Sequence, residues 1–190
     1  MQKKNQHGET VLLQAARLNR VQIVKAALDR KEADKLLEKT DSKGRNIFHI
    51  LALNANSDQL LDLIIDHLLK QSVDIFKKFD EPDKDNHAPL ELAVLNNNLP
   101  ITCRLLPYFN TEISHYNGEN LIHIAVRHGD LDMLKYLLNE GKLIEQGTRT
   151  SLTMRPMELA QSLNRTDMVN YLKELYPQPE IIKDDNSDND

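Results

Sequence analysis

The sequence predicts an all-α solenoid, a stack of helix–turn–helix units joined by short finger loops. An anchor residue ahead of an apolar stripe recurs at Thr10, Asn46, Ala88, Asn120 and Arg155, with spacings of 36, 42, 32 and 35. A period of about 33 with loop insertions marks stacked repeats. Behind each anchor apolar residues fall three and four apart, a turn breaks the pattern, and a second stripe follows. Small residues sit in the middle of each first helix, at Ala15, Ala16, Ala52, Ala93, Ala125 and Ala160, and let neighbouring helices approach. Neither helix could bury its face alone, so the units must stack.

Repeat one, HGETVLLQAARLNRVQIVKAAL, puts Leu12, Ala15 and Ala16 on a first helix and Ile23, Val24 and Leu28 on a second. The segment Lys31–Thr40 is a few residues long for a turn finger. Repeat two, KGRNIFHILALNANSDQLLDLI, is followed by Ser72–Glu81 (SVDIFKKFDE), which predicts a short extra helix using Ile75, Phe76 and Phe79. Repeat three is DNHAPLELAVLNNNLPITCRLL. In repeat four, NGENLIHIAVRHGDLDMLKYLL, His128-Gly129-Asp130 separates Leu121, Ile122, Ala125 and Val126 from Met133, Leu134, Leu137 and Leu138. Repeat five is TMRPMELAQSLNRTDMVNYL. The repeats lie near 5–40, 41–82, 83–114, 115–149 and 150–176 of a domain spanning 1–176, with the extra segment at 72–81.

Asn46 and Asn120 suit helix caps, because an Asn oxygen accepts an otherwise orphaned backbone N–H. His49 and His123 then sit at N3, three residues on. Where the cap is poor, at Ala88 and Arg155, Pro89 and Pro156 stand at the first helical position and Glu91 and Glu158 at N3. His and Glu therefore alternate at one structural position.

Composition bounds the function. The chain has 190 residues, 40% hydrophobic and 28% charged, and its aromatic share of 5% predicts an aliphatic core. Net charge is −5, of which residues 177–190 hold −4 (five acids against Lys183), so the body is about neutral at −1. A neutral body lacks the clustered Lys and Arg that nucleic acid requires. The tail 177–190 is expected to be acidic and disordered. No apolar run approaches the ~18 residues of a membrane span, and MQKKNQHGET has no apolar segment of a secretory signal. A single cysteine, Cys103, fits a reducing compartment and a cytoplasmic location.

A metal-dependent enzyme using His115, His123 and His128 is the catalytic alternative. It fits poorly, because His123 and His128 are five apart, which swings them roughly 140° around a helix axis. From Asp83 the calcium-loop frame fails, with Ala88 at the glycine position and Val94 at the twelfth. Cys103, between Ile101 and Leu105, reads as a small buried hydrophobe. Glu91 and Glu158 lie two repeats apart, on the order of 20 Å at the usual helix spacing. No nucleophile or phosphate motif is present, so no catalytic residue, metal or cofactor is expected.

The units T-V-L-L-Q-A, N-I-F-H-I-L-A, A-P-L-E-L-A, N-L-I-H-I-A and R-P-M-E-L-A resemble the ankyrin repeat family, over about residues 5–176. The resemblance implies a non-enzymatic protein-interaction module, an adaptor, scaffold or masking inhibitor, monomeric before it binds a protein partner through its concave face. It places finger contacts at His7, Glu9, Lys43, Arg45, Asp85, His87, Tyr116, Asn117 and Glu119. Inner-helix contacts fall at Arg17, Leu18, Leu53, Asn54, Leu95, Asn96, Arg127, His128, Ser162 and Leu163. Leu53 and Leu95 occupy matching places in adjacent repeats, and Arg17, Arg45, Arg127 and Tyr116 flank them as types enriched at interfaces. Degenerate repeats, Asn- and Ile-rich usage and an acidic C-terminus are also similar to effectors that intracellular bacteria deliver into the host cytosol.

Overall fold

The computed structural model describes residues 5–71, 76–109, 119–141, 143 and 154–177. Five helix pairs follow one another: α1 (Val11–Arg17) with α2 (Val21–Leu28), and α4 (Ile47–Ala52) with α5 (Asp58–Lys70). Next come α7 (Pro89–Leu95) with α8 (Leu99–Leu105), and α9 (Leu121–His128) with α10 (Leu131–Asn139). The last pair is α11 (Pro156–Ser162) with α12 (Thr166–Leu175). The short helices α3 (Ala33–Leu37) and α6 (Phe76–Asp80) lie between pairs, and a 3-10 turn, Leu106–Tyr108, follows α8. No strand occurs among the described residues. The first helices pack in the order α1, α4, α7, α9, α11, and the second helices in the order α2, α5, α8, α10, α12. The molecule is therefore an all-α solenoid.

Each inner helix starts at its anchor. Thr10 Oγ1 accepts the Leu13 N–H at 3.3 Å, Asn46 Oδ1 those of Phe48 and His49 at 3.0 and 3.2 Å, and Asn120 Oδ1 that of His123 at 3.1 Å. Ala88 and Arg155 have no capping side chain, and there the N3 glutamates serve. Glu91 Oε2 accepts the Ala88 N–H at 2.7 Å, and Glu158 Oε2 the Arg155 N–H at 2.8 Å. Four of the turns that separate the paired helices contain an Asn in the left-handed region, Asn19, Asn56, Asn97 and Asn164 (φ 50 to 61°), a conformation Asn tolerates. Repeat four uses Gly129 at φ −81° instead, because a Cβ there would stand 2.9 Å from the Ala125 oxygen.

Layers are joined through the helix ends that would otherwise expose carbonyl groups. Asn54 Nδ2 donates to the oxygens of Ala16 and Arg17 at 3.2 and 2.7 Å, closing the end of α1. Asn98 Nδ2 repeats this on Ala52 and Asn54, at 3.1 and 2.9 Å. Asn97 and Asp130 exchange two hydrogen bonds, and the Arg165 guanidinium donates to the Gly129 oxygen. Between layers the central alanines Ala16, Ala52, Ala93, Ala125 and Ala160 are fully buried at 0% exposure, so the helices meet closely. Two adjoining apolar clusters result, one running from repeat one into repeat four and one joining repeats four and five.

The helix expected in 72–81 is α6, and Phe79 is its anchor at 0% exposure. Its ring meets Phe48 edge-on at 4.5 Å and 61°, and Tyr108 at 5.3 Å. Residues 72–75, including Ile75, and the side chain of Phe76 lie outside the described set, as does the tail expectation beyond Pro177. Two points differ from the sequence reading. Lys31–Thr40 contains a turn of helix, α3, which buries Ala33 and Leu37 one turn apart. Cys103 is half-exposed, because the buried stripe of α8 passes through Ile101, Thr102 and Leu105.

Replacing Phe79 by Ala should lower stability by about 3 to 5 kcal/mol, the usual cost of emptying an aromatic site. Urea unfolding of the variant checks this; a loss under about 1 kcal/mol would show that α6 is not docked on Phe48 and Tyr108.

Candidate protein-binding face

Three fingers share one construction. Asn5, Asp41 and Asp83 each turn a side-chain oxygen onto the N–H groups two and four residues ahead. The distances are 2.9 and 3.0 Å to His7 and Glu9, 2.8 and 3.0 Å to Lys43 and Arg45, and 2.9 and 3.0 Å to Asp85 and His87. The fourth residue of each takes positive φ, at Gly8 (72°), Gly44 (77°) and Asn86 (64°). Such turns hold without a strand partner. They are also stitched together: Ser42 N–H donates to the His7 oxygen at 3.1 Å, and Lys84 N–H to the Lys43 oxygen at 2.9 Å. Gly8 allows this close approach, since a Cβ there would lie 2.9 Å from Ser42 N. The tips His7, Lys43 and Asp85 remain exposed.

The finger bases and the ends of the inner helices share a face. Counting from the cap, the residue just before it and the seventh after it pair as Glu9 with Arg17 and Glu119 with Arg127. Arg17 donates to both Glu9 oxygens at 2.7 and 3.2 Å, and Arg127 to Glu119 at 2.6 Å. Burial pushes the Glu9 carboxyl up, but the bonds from Arg17 and Asn5 outweigh it and leave it below its ordinary value. At the same two positions the central repeats carry Arg45 with Leu53 and His87 with Leu95. Arg45 turns to Asp41 instead, at 2.7 Å.

Leu53 and Leu95 are half-buried and pack against the core rather than standing out as an exposed strip. The three arginines Arg17, Arg45 and Arg127 are each held in an intramolecular ion pair. Asn54 closes the end of α1, and Asn96 Nδ2 bonds the Leu92 oxygen at 2.7 Å. His87 and Glu119 are half-buried, and Asn96 and His128 are exposed. Leu18 and Leu163, eight residues past their caps, are 49% and 38% exposed. His115, Tyr116 and Asn117 lie outside the described residues. The ion pairs were missed by sequence reasoning, although the recurrence of Glu and Arg eight apart in repeats one and four is a readable signal.

The histidines serve the scaffold. Nε2 of His49 faces the His87 oxygen at 3.0 Å and Nε2 of His123 faces the Met154 oxygen at 3.1 Å, in each case the residue before the next repeat's cap. A carbonyl only accepts, so Nε2 carries the proton and Nδ1 accepts the cap N–H, at 3.2 Å from Asn46 and 3.3 Å from Asn120. Nδ1 also lies 2.7 Å from the cap's Oδ1 in both repeats, a contact only a protonated ring would convert to a bond. Burial pushes both ring pKa values down and holds the neutral form. Each buried imidazole thus spans two repeats, and His123 is not turned toward His128. Among the described residues no three His, Cys, Asp or Glu side chains converge as a metal site. Nor, among the described residues, is any helix long and apolar enough to cross a membrane.

A family model for ankyrin repeats, in three copies, matches residues 90–183. The chain is an ankyrin-repeat protein. Ankyrin repeats generally mediate protein–protein interaction and are typically non-enzymatic. Among curated proteins the sequence finds no match. The matched region begins inside α7, yet the ankyrin register continues back through Asn46 and Thr10, whose helices cap and stack in the same way.

Glu91 occupies the histidine position in ankyrin repeat three and is fully buried. Burial raises its pKa from 4.5 to about 7, against the Ala88 N–H, and Asp83 adds to the rise. The folded carboxyl keeps a proton that the unfolded chain releases, so its contribution is complete below pH 4.5 and is lost as pH rises to about 7. His49 and His123 run the other way, since the unfolded ring binds a proton below 6.5 that the folded ring resists. Glu91→Gln keeps an oxygen for the Ala88 N–H and removes only the first effect. Relative to wild type it should gain up to about 3 kcal/mol of stability between about pH 5 and pH 8. Urea unfolding at both values checks this, and an unchanged difference would place Glu91 in a wetter setting.

Proposed function

We propose that this ankyrin-repeat protein binds a protein partner across its fingers and inner-helix ends, as an adaptor, scaffold or masking inhibitor in a reducing compartment. The observation that carries the reading is the composition of that face along the stack. Repeats one and four present ion pairs, Glu9–Arg17 and Glu119–Arg127, and the two repeats between them present Leu53 and Leu95 beside Arg45 and His87. An apolar centre with a polar rim is the anatomy of a protein interface. The stitched fingers hold His7, Lys43 and Asp85 in fixed positions beside it, so little ordering cost falls on binding.

Half-buried Leu53 and Leu95 also support the core, so a test of contact uses substitutions of similar volume. Leu53→Gln with Leu95→Gln should keep the helical signal and lower the unfolding midpoint only slightly. Affinity capture of protein partners should fall about tenfold or more, as expected for loss of central anchors. Capture equal to wild type by the folded double variant would remove this face from the reading.

A further inference from the structure

The two ends of the stack are unlike. At the position after the cap, Ile47 is 0% and Leu121 3% exposed, and Pro89 and Pro156 are buried, whereas Val11 of repeat one is 67% exposed. Four residues past the turn, Leu60, Ile101, Met133 and Met168 are at most 1% exposed, whereas Ile23 is 49% exposed. These are the positions that a preceding repeat covers, and repeat one carries interior residues there. Between them a groove of about 230 Å³ is lined by Val11, Leu12, Ile23, Ala27 and Leu36, with Arg30 at its edge.

The opposite end carries the reverse signal. Six residues past the cap, Ala16, Ala52, Val94 and Val126 are fully buried, and repeat five has the exposed Gln161. Nine residues past the turn, Leu28, Ile65, Leu106 and Leu138 are buried, and repeat five has the exposed Lys173. At these two positions repeat five is polar, as a capping repeat would be, whereas at its own outward positions repeat one is apolar.

We propose that the end face of repeat one docks the same face of a second copy of this chain, about a two-fold axis. Head-to-tail stacking would set Gln161 and Lys173 against Val11 and Ile23 and bury a charge without a partner. A matching apolar surface on this chain is the same end of another copy, and a self-complementary patch closes as a dimer. The rim suits the pairing, because Asp29, Arg30 and Lys31 line the depression adjoining the groove and a two-fold axis can oppose the two signs. The ankyrin resemblance implies a monomer before partner binding; the exposure of Val11 and Ile23 is the ground for proposing a dimer instead. The inference is independent of the finger face, which stays open in such a dimer.

Sedimentation velocity of the full chain between about 1 and 200 µM tests it, a range that brackets micromolar association. Wild type should pass from monomer to dimer. Val11→Asp with Ile23→Asp, or the milder Ile23→Gln, should weaken the dimer about tenfold or more with an unchanged helical signal. Leu163→Asp with Leu175→Asp, at the far end, should leave it intact. A wild type that stays monomeric, a dimer indifferent to the Val11 and Ile23 variants, or equal loss from the far-end variant would each overturn the proposal.

Discussion

Everything in this molecule depends on the contact between one layer and the next. Inner helices of six to eight residues are too short to persist alone, and their apolar stripes are covered only when another pair stacks on them. Hydrophobic burial drives the stacking, and polar side chains set its register. His49 and His123 donate across to the next repeat's finger, and Asn54 and Asn98 reach back to close the preceding helix. Each bond satisfies a backbone group that the layer interface would otherwise bury unpaired. Alanines at the middle of the inner helices set how closely the layers approach.

The candidate binding face follows from that stacking. Fingers joined backbone to backbone inherit the rise of the solenoid, and the Asx turns at Asn5, Asp41 and Asp83 hold their shape without a sheet. Side chains on such a frame are already placed before a partner arrives. The ion pairs from Glu9 and Glu119 also keep long arginine side chains against the surface, where they border the leucines of the middle repeats. What the stitched fingers offer is a shaped surface.

A stack also has ends, and a one-dimensional array exposes whatever its last layers carry. Repeat five answers with Gln161 where earlier repeats have Ala or Val, and with Lys173 where they have Leu or Ile. Repeat one retains Val11 and Ile23. The same residue types are core in the interior and surface at the edge, a difference set by position in the array alone.

The repeat, the caps and the fold class were legible in the sequence, because they are local properties that recur. The five anchors are all helix caps, and the alternation of His and Glu at N3 marks the side chains that bond back to the cap N–H. Phe79 could be read because an aromatic in a polar stretch needs somewhere to go. The short helix at Ala33–Leu37 and the half-exposure of Cys103 could not, since two apolar residues or one cysteine carry no periodicity. The pairing of Arg17, Arg45 and Arg127, the half-burial of Leu53 and Leu95, and the exposure of Val11 and Ile23 were also beyond it. By itself the sequence determined that this chain folds as a stack of helix pairs and where each pair begins, since helix starts depend on neighbours a few residues apart. Only the tertiary structure decided which side chains are covered, because cover comes from a layer some 35 residues away along the chain and is missing where the stack ends.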